Sequence, residues 1–279
     1  MVDVQEFVTI ASTVILTVGV TMNIIFIYMI RKGTRSAVGQ VYKNIMTSFA
    51  ACNIAFASAQ FIAKPGIFIY GTSLMTFSHG IFQREKPWGF IALCVFIGMY
   101  GTTTALLTLH FVYRYIALCR QNLLHIFHEK GPVCAVIIAI VLWGTVYALI
   151  TFFCFAPTEE YYKYAYAAVY AKFGDDVHHF SFFTIFTHEV KGNVTTIYWS
   201  STLGLSLIYL MMLITFALMS ICGIKMYRTL AKSTMSQKSR KLQTQLLKAL
   251  IVQAAVPFFT SYLSRVIMYS SVVMGIPPL

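Results

Sequence analysis

The chain has 279 residues, 58% hydrophobic and only 11% charged, and its mean hydropathy is +0.72. A soluble domain carries about 25% charged residues, so this composition excludes a water-facing fold and points to an integral membrane protein. Net charge is +12, from 21 Lys and Arg against 9 Asp and Glu; the basic residues lie mainly between apolar runs, so membrane topology explains them and nucleic acid does not.

A helix needs about 20 apolar residues to cross a bilayer. The first such run is 8–30, closed by Arg31, Lys32 and Arg35. The N-terminus opens on Asp3 and Glu6 without a basic region, and the run exceeds the ~7–15 residues of a cleavable signal, so it reads as a retained span. Asn23 inside it is expected to hydrogen-bond to a neighbouring helix. The second run, 45–63, is rich in small and polar residues such as Thr47, Ser48, Ala50, Ala51 and Asn53. Small residues let backbones approach, so this helix should pack inside a bundle. Pro65 and Gly66 end it. Residues 67–82 are uncharged but short, and Gly71, His79 and Gly80 break them. They are expected to lie along the surface or to extend the preceding helix.

The third span is 88–113, and no charge follows Trp88 until Arg114. A guanidinium stays ionised at ordinary pH and would cost at least ~2.5–3.5 kcal/mol at the bilayer centre. Arg114 therefore belongs at an interface, between Tyr113 and Tyr115, whose rings favour that depth. Counting back from His110 in steps of three or four places Leu107, Thr103, Tyr100 and Phe96 on one face. His110 reads as a histidine hydrogen-bonded to a neighbour rather than a pH-sensitive or ligand-contact group. Residues 119–131 hold Arg120, His125, His128, Glu129 and Lys130 and read as a solvated loop; His125-x-x-His128 has no third metal ligand nearby.

The fourth span is 133–155, stopped by Pro157. Residues 156–196 are polar, acidic and aromatic and read as a long solvated loop, with Asp175-Asp176-Val177-His178-His179 a solvated turn rather than a metal site. Asn193-Val194-Thr195 is a glycosylation sequon. The fifth span is 197–224. After it, 225–248 contains Lys225, Arg228, Lys232, Lys238, Arg240, Lys241 and Lys248 and no acid. Leu242, Leu246, Ala249 and Leu250 fall at helical spacing, so the sixth helix starts in water and enters the membrane as the span 249–270, with Pro257 expected to kink it. The six cysteines lie in or beside apolar runs and none in 156–196, so no external disulfide is expected, and no spacing suggests zinc.

Six spans with the N-terminus outside put Arg31, Lys32, Arg35, Lys43, Arg114, Arg120, Lys130 and the seven residues of 225–248 on the inner side, against one acid, Glu129. Lys64, Arg84, Lys86, Lys163, Lys172, Lys191 and Arg265 fall outside with the other acids. Cytoplasmic loops carry the basic excess, so this orientation is expected, with Asn193 outside.

Three stretches resemble the nematode seven-transmembrane chemoreceptors of the Str class, relatives in form of rhodopsin-like G-protein-coupled receptors. They are His110-Phe111-Val112-Tyr113-Arg114-Tyr115-Ile116-Ala117-Leu118; Lys241-Leu242-Gln243-Thr244-Gln245-Leu246-Leu247-Lys248-Ala249-Leu250-Ile251-Val252-Gln253 followed by Val256-Pro257; and Lys64-Pro65 with Tyr70-Gly71-Thr72-Ser73 and Phe77-Ser78. The resemblance implies an all-α integral membrane protein, a rhodopsin-like helical bundle with six spans present of an expected seven. It implies a receptor for small environmental molecules (odorants) at the plasma membrane of sensory cilia, with a heterotrimeric G protein as partner. Carried over, Tyr113, Arg114 and Tyr115 with Lys241 and Lys248 form the coupling site, and Pro257 is the kink of the moving helix. Tyr113 stands where rhodopsin-like receptors usually carry an acid, so no carboxylate pins Arg114 from the preceding position. A ligand pocket is expected at Phe96, Tyr100, Thr103, Phe258 and Tyr262, or these residues are ordinary core. A truncated, non-signalling receptor is the alternative, because the family's seventh helix is missing.

A channel or transporter ranks below this, since no span holds Asp or Glu and no inverted repeat is visible. An intramembrane enzyme ranks last, lacking a carboxylate pair or a Cys/His constellation. No cofactor, metal or nucleic acid is expected.

Overall fold

The structure is a computed structural model describing residues 4–33, 39–191, 194–232, 236–263, 266–267 and 270. Helices α1 (Val4–Gly33), α2 (Gln40–Ala63), α3 (Trp88–Cys119), α4 (Lys130–Cys154), α5 (Glu159–Phe173), α6 (Trp199–Lys232) and α7 (Gln237–Pro257) alternate with strands β1 (Pro65–Tyr70), β2 (Ser73–Ser78), β3 (Phe182–Phe186), β4 (His188–Lys191) and β5 (Val194–Ile197). Among the described residues, α1, α2, α3, α4 and α6 are long and apolar enough to cross a membrane. Of the expected sixth span, residues up to 263 continue α7, through Pro257 and a π-turn at Phe258–Leu263; 264–265, 268–269 and 271–279 lie outside the described residues. Pro257 has no N–H to give, and one residue on, the Phe258 N–H is shared between Ala254 and Ala255 carbonyls.

Large apolar side chains stand exposed on α1, α4 and α6, for example Met22 at 62%, Val141 at 56% and Leu213 at 64%. An apolar surface of that extent is unsustainable in water and ordinary in lipid. Helix α3 is the central element, packed on α2, α4, α6 and α7. It meets α4 at glycines: a Cβ on Gly144 would lie 2.0 Å from Thr102 Oγ1 and 2.8 Å from the Gly98 carbonyl oxygen. Close backbone approach through small residues is how membrane helices gain packing without a hydrophobic drive. Asn23 donates to the Gly19 carbonyl at 2.7 Å, and Asn53 of α2 donates to Asn23 Oδ1 at 3.4 Å, so this amide does bridge helices.

One end of the bundle is covered by a cap that the sequence reading did not resolve. Residues 67–82, expected on the surface or as a helix extension, instead form most of a β-hairpin. Helix α2 ends at Lys64, whose N–H still donates to the Gln60 carbonyl at 2.7 Å and whose left-handed backbone (φ 38°) turns the chain out of the helix, and Pro65 then starts β1. Tyr70 pairs with Ser73 across a two-residue turn in which Gly71 takes φ 52°, a conformation that favours glycine. Segment 156–196, expected as a solvated loop, contributes α5 and three strands. Thr158 Oγ1 accepts from the Tyr161 N–H, Glu159 and Glu160 occupy the first turn, and Gly174 (φ 67°) closes the helix; each is a standard end signal.

The antiparallel sheet β1-β2-β3 lies between bundle and α5. Leu74, Phe183 and Ile185 pack on the bundle core with Leu93, Phe96, Ile97, Tyr100 and Tyr147. Met75, Phe77, Phe182 and Phe186 face Tyr161, Ala165 and Val169 of α5, an i, i+4, i+8 stripe with 0% exposure. Residues 119–131 are likewise more ordered than expected: Gln121–Phe127 is a 3-10 turn.

Candidate functional site: the arginine end of the central helix

Opposite the cap, Arg114 on the last turns of α3 is held from two sides. Its Nη2 donates to Gln243 Oε1 of α7 at 2.9 Å, and its guanidinium carbon stands 5.3 Å from the centre of the Tyr42 ring of α2. Tyr113 stacks on the same ring at 5.6 Å and 11°, and meets Phe127 edge-on at 5.0 Å. The Lys225 ammonium of α6 sits 5.6 Å from the Tyr115 ring, and Cys119 Sγ donates to Thr229 Oγ1 at 3.2 Å. The triplet Tyr113-Arg114-Tyr115 thus touches α2, α6 and α7. The site balances its cation with an aromatic face and a neutral amide, and none of these contacts is a carboxylate. A hydrogen bond to a charged group is stronger than a neutral one, yet a neutral acceptor releases the cation more easily than a carboxylate would.

Gln243 is positioned by its own helix. Gln243, Leu247 and Leu250 share a face at i, i+4 and i+7, and the two leucines are buried against Leu107, Phe111, Met219, Cys222 and Met226. Lys241 and Lys248 are on the exposed remainder of α7, at the same end as Arg114. Tyr42 and Gln243 are the two contacts that sequence reasoning missed as site residues. Gln243 did lie inside the quoted glutamine-rich stretch; nothing local marked Tyr42.

The expected pocket residues are distributed differently. Phe96 stacks on Phe56 at 5.3 Å, and Tyr100 meets Tyr147 edge-on at 6.3 Å. Phe258 packs against the same core cluster and stacks on Phe216 at 4.9 Å. Thr103 donates to the Met99 carbonyl and lies 3.4 Å from Cys52 Sγ. The structure therefore gathers Phe96, Tyr100 and Phe258 into one apolar cluster. Phe258 borders an apolar cleft of about 380 Å³ with Leu107, Phe111, Met219 and Gly223. The side chain of Tyr262, and Asn193, lie outside the described residues. His110 is buried between the Phe49 and Tyr42 rings, at 5.0 and 6.1 Å.

Apolar helices around a central α3, an arginine clasped at one end of it and an aromatic cap over the other describe a multi-pass helical membrane protein. The family model of the serpentine type 7TM GPCR chemoreceptor Str matches residues 8–277, and the chain belongs to that family. It is 28% identical over 269 residues to serpentine receptor class r-10 of Caenorhabditis elegans, covering 90% of this chain and 75% of that one. Class r-10 of Caenorhabditis briggsae is 26% identical over 257 residues, with 89% and 72% covered. The G-protein coupled receptor str-33 of Caenorhabditis elegans is 23% identical over 254 residues, with 89% and 73% covered. The chain is a receptor and not an enzyme.

Proposed function

We propose that this receptor detects small environmental molecules at the plasma membrane of sensory cilia and passes the signal to a heterotrimeric G protein. In this reading the N-terminus and cap face outward, and the end carrying Arg114 and the basic segment 225–248 faces the cytosol. The Lys and Arg excess at that end supports the orientation. The observation that carries the mechanism is the 2.9 Å hydrogen bond from Arg114 to Gln243. It ties the central helix to α7 across the end where a cytosolic partner would dock.

A ligand acts by binding one arrangement more tightly than another. The clasped arrangement is the resting one. A small molecule binding at Phe96, Tyr100, Thr103, Phe258 and Tyr262, the residues expected from the sequence, favours the arrangement in which α7 has moved and the clasp is open. Tyr113, Arg114, Tyr115, Lys241 and Lys248 then meet the G protein, with Pro257 and the π-turn beyond it as the bend. The test is Arg114→Ala, expressed with a G-protein reporter and challenged with a panel of small volatile molecules. Surface delivery should survive, and the G-protein response should fall at least about tenfold. A response that survives both Arg114→Ala and block of the G protein would overturn the proposal.

A further inference from the structure

Two clefts flank α2 at the arginine end, and neither is used by the coupling site. The first, about 340 Å³, lies between α1 and α2 and is lined by Arg31, Gln40, Lys43, Asn44 and Thr47. The second, about 480 Å³, is a groove between α2, α3 and α4 with an almost wholly apolar wall, including Val41, Ile45, Leu106, Val136 and Ile140. Asn44 lines both, and among the described residues neither wall contains an acidic side chain. The Gln40 amide donates to Asn44 Oδ1 at 3.1 Å, so the residue common to both clefts is oriented by its own helix. Cation and hydrogen-bond donors thus meet hydrocarbon at one point on α2.

The dimensions match the two parts of a phospholipid. The polar cleft holds two cations, two amides and a hydroxyl, the donor set that phosphate oxygens accept from. Along α2, from Val41 to Cys52, the apolar groove runs roughly 16 Å at 1.5 Å per residue. That is about the depth of one leaflet, half of a ~30 Å hydrocarbon core. We propose that these clefts together hold one anionic phospholipid of the cytosolic leaflet, its phosphate between Arg31 and Lys43 and one acyl chain in the groove beside Ile45, Val136 and Ile140. The charge match decides for an anionic lipid over a zwitterionic one, because the cytosolic leaflet is the anionic one and basic pockets between helices on that side hold such headgroups. This rests on the orientation proposed above. Bound there, the lipid borders Phe127, which lines the groove and contacts Tyr113, so occupancy bears directly on the coupling triplet.

The full chain would be reconstituted in nanodiscs of phosphatidylcholine doped with phosphatidylinositol bisphosphate, and the anionic lipid retained per receptor measured by mass spectrometry. Each basic residue contributes about 1 kcal/mol to attraction of anionic lipid, so Arg31→Gln and Lys43→Gln should each lower retention about fivefold, and the double variant about thirtyfold. Arg228→Gln with Lys232→Gln, at the same end but away from the clefts, should leave it unchanged. Ile140→Phe, which narrows the groove without touching charge, should also lower retention. Equal loss in the Arg228/Lys232 control, no loss in Ile140→Phe, or displacement by soluble inositol phosphate as effective as by the lipid would each overturn the proposal. If a variant melts early in phosphatidylcholine alone, salt titration of the unaltered chain replaces it: retention must fall as ionic strength rises. A nanodisc exposes both faces, so this result does not depend on orientation or on G-protein coupling. Those are read separately by antibody against a tag in 225–248 on intact cells.

Discussion

Replacing Gln243 is the sharpest test of the clasp. A hydrogen bond to a charged group contributes about 1.5–3 kcal/mol when the charge is otherwise left dry. Arg114 is only half-buried and keeps the Tyr42 face at 5.3 Å, so water and the ring compensate in part. About 1 kcal/mol remains, and Gln243→Leu should shift the balance between clasped and open arrangements roughly fivefold toward open. Ligand-independent G-protein activation should rise by about the same factor at matched surface expression. Gln243→Glu keeps the length of the side chain and adds a charge. Its attraction to the guanidinium outweighs the desolvation at a half-exposed site, so basal activity should fall below that of the unaltered chain. Opposite signs for the two variants are the signature. If both raise basal activity, both lower it, or Gln243→Leu alone lowers it, the bond is not what holds the resting state.

Gly144→Val should destabilise the α3–α4 pair by about 1–3 kcal/mol, the usual cost of overpacking, because its Cβ would lie 2.0 Å from Thr102 Oγ1 and 2.8 Å from the Gly98 carbonyl oxygen; thermal melting in detergent should show it, with Thr102→Ala giving only partial rescue, since the carbonyl remains. Tyr161→Ala removes a fully buried ring from the cap and should cost about 3–5 kcal/mol locally, read as faster proteolysis within 156–196. Asp175 joins His179 at 2.7 Å and Arg84 at 3.1 Å. The hydrogen bond from His179, then that from the Asp176 N–H and the Arg84 charge, hold its carboxyl below the usual range. A depressed carboxylate stabilises the fold above its unfolded-state pKa and loses that effect as pH falls through the folded value. Amide protection in the cap, measured against the intrinsic exchange rate at each pH, should therefore fall below about pH 4, and Asp175→Asn should show less protection at neutral pH with that acid step removed.

The bundle was legible because membrane helices announce themselves by length and apolarity. The cap was not, for reasons visible in its residues. All of β2 is buried, with Leu74 on one core and Met75 and Phe77 on another. A strand covered on both faces shows no alternation, so 67–82 looked like a short apolar run of undecided kind. Helix α5 carried its signals at Thr158, Glu159 and Gly174, but its polar composition hid a stripe of only Tyr161, Ala165 and Val169. At the opposite end Arg114 was placed from the cost of burying a guanidinium. Its partners were not, because Gln243 is 129 positions away and Tyr42 is a tyrosine like many others in the chain.

The π-turn at Phe258–Leu263 gives α7 a place to pivot. Single π-turns in helices recur at functional sites, and this one follows Pro257 directly. Gln243 is fifteen residues before Phe258, a lever arm of roughly 22 Å at the α-helical rise. A tilt of about 10° at the turn would swing Gln243 by about 4 Å, well past hydrogen-bond reach of Arg114. In the proposed mechanism, a small repacking of the Phe216–Phe258 stack would be enough, at the far tip, to let the guanidinium go.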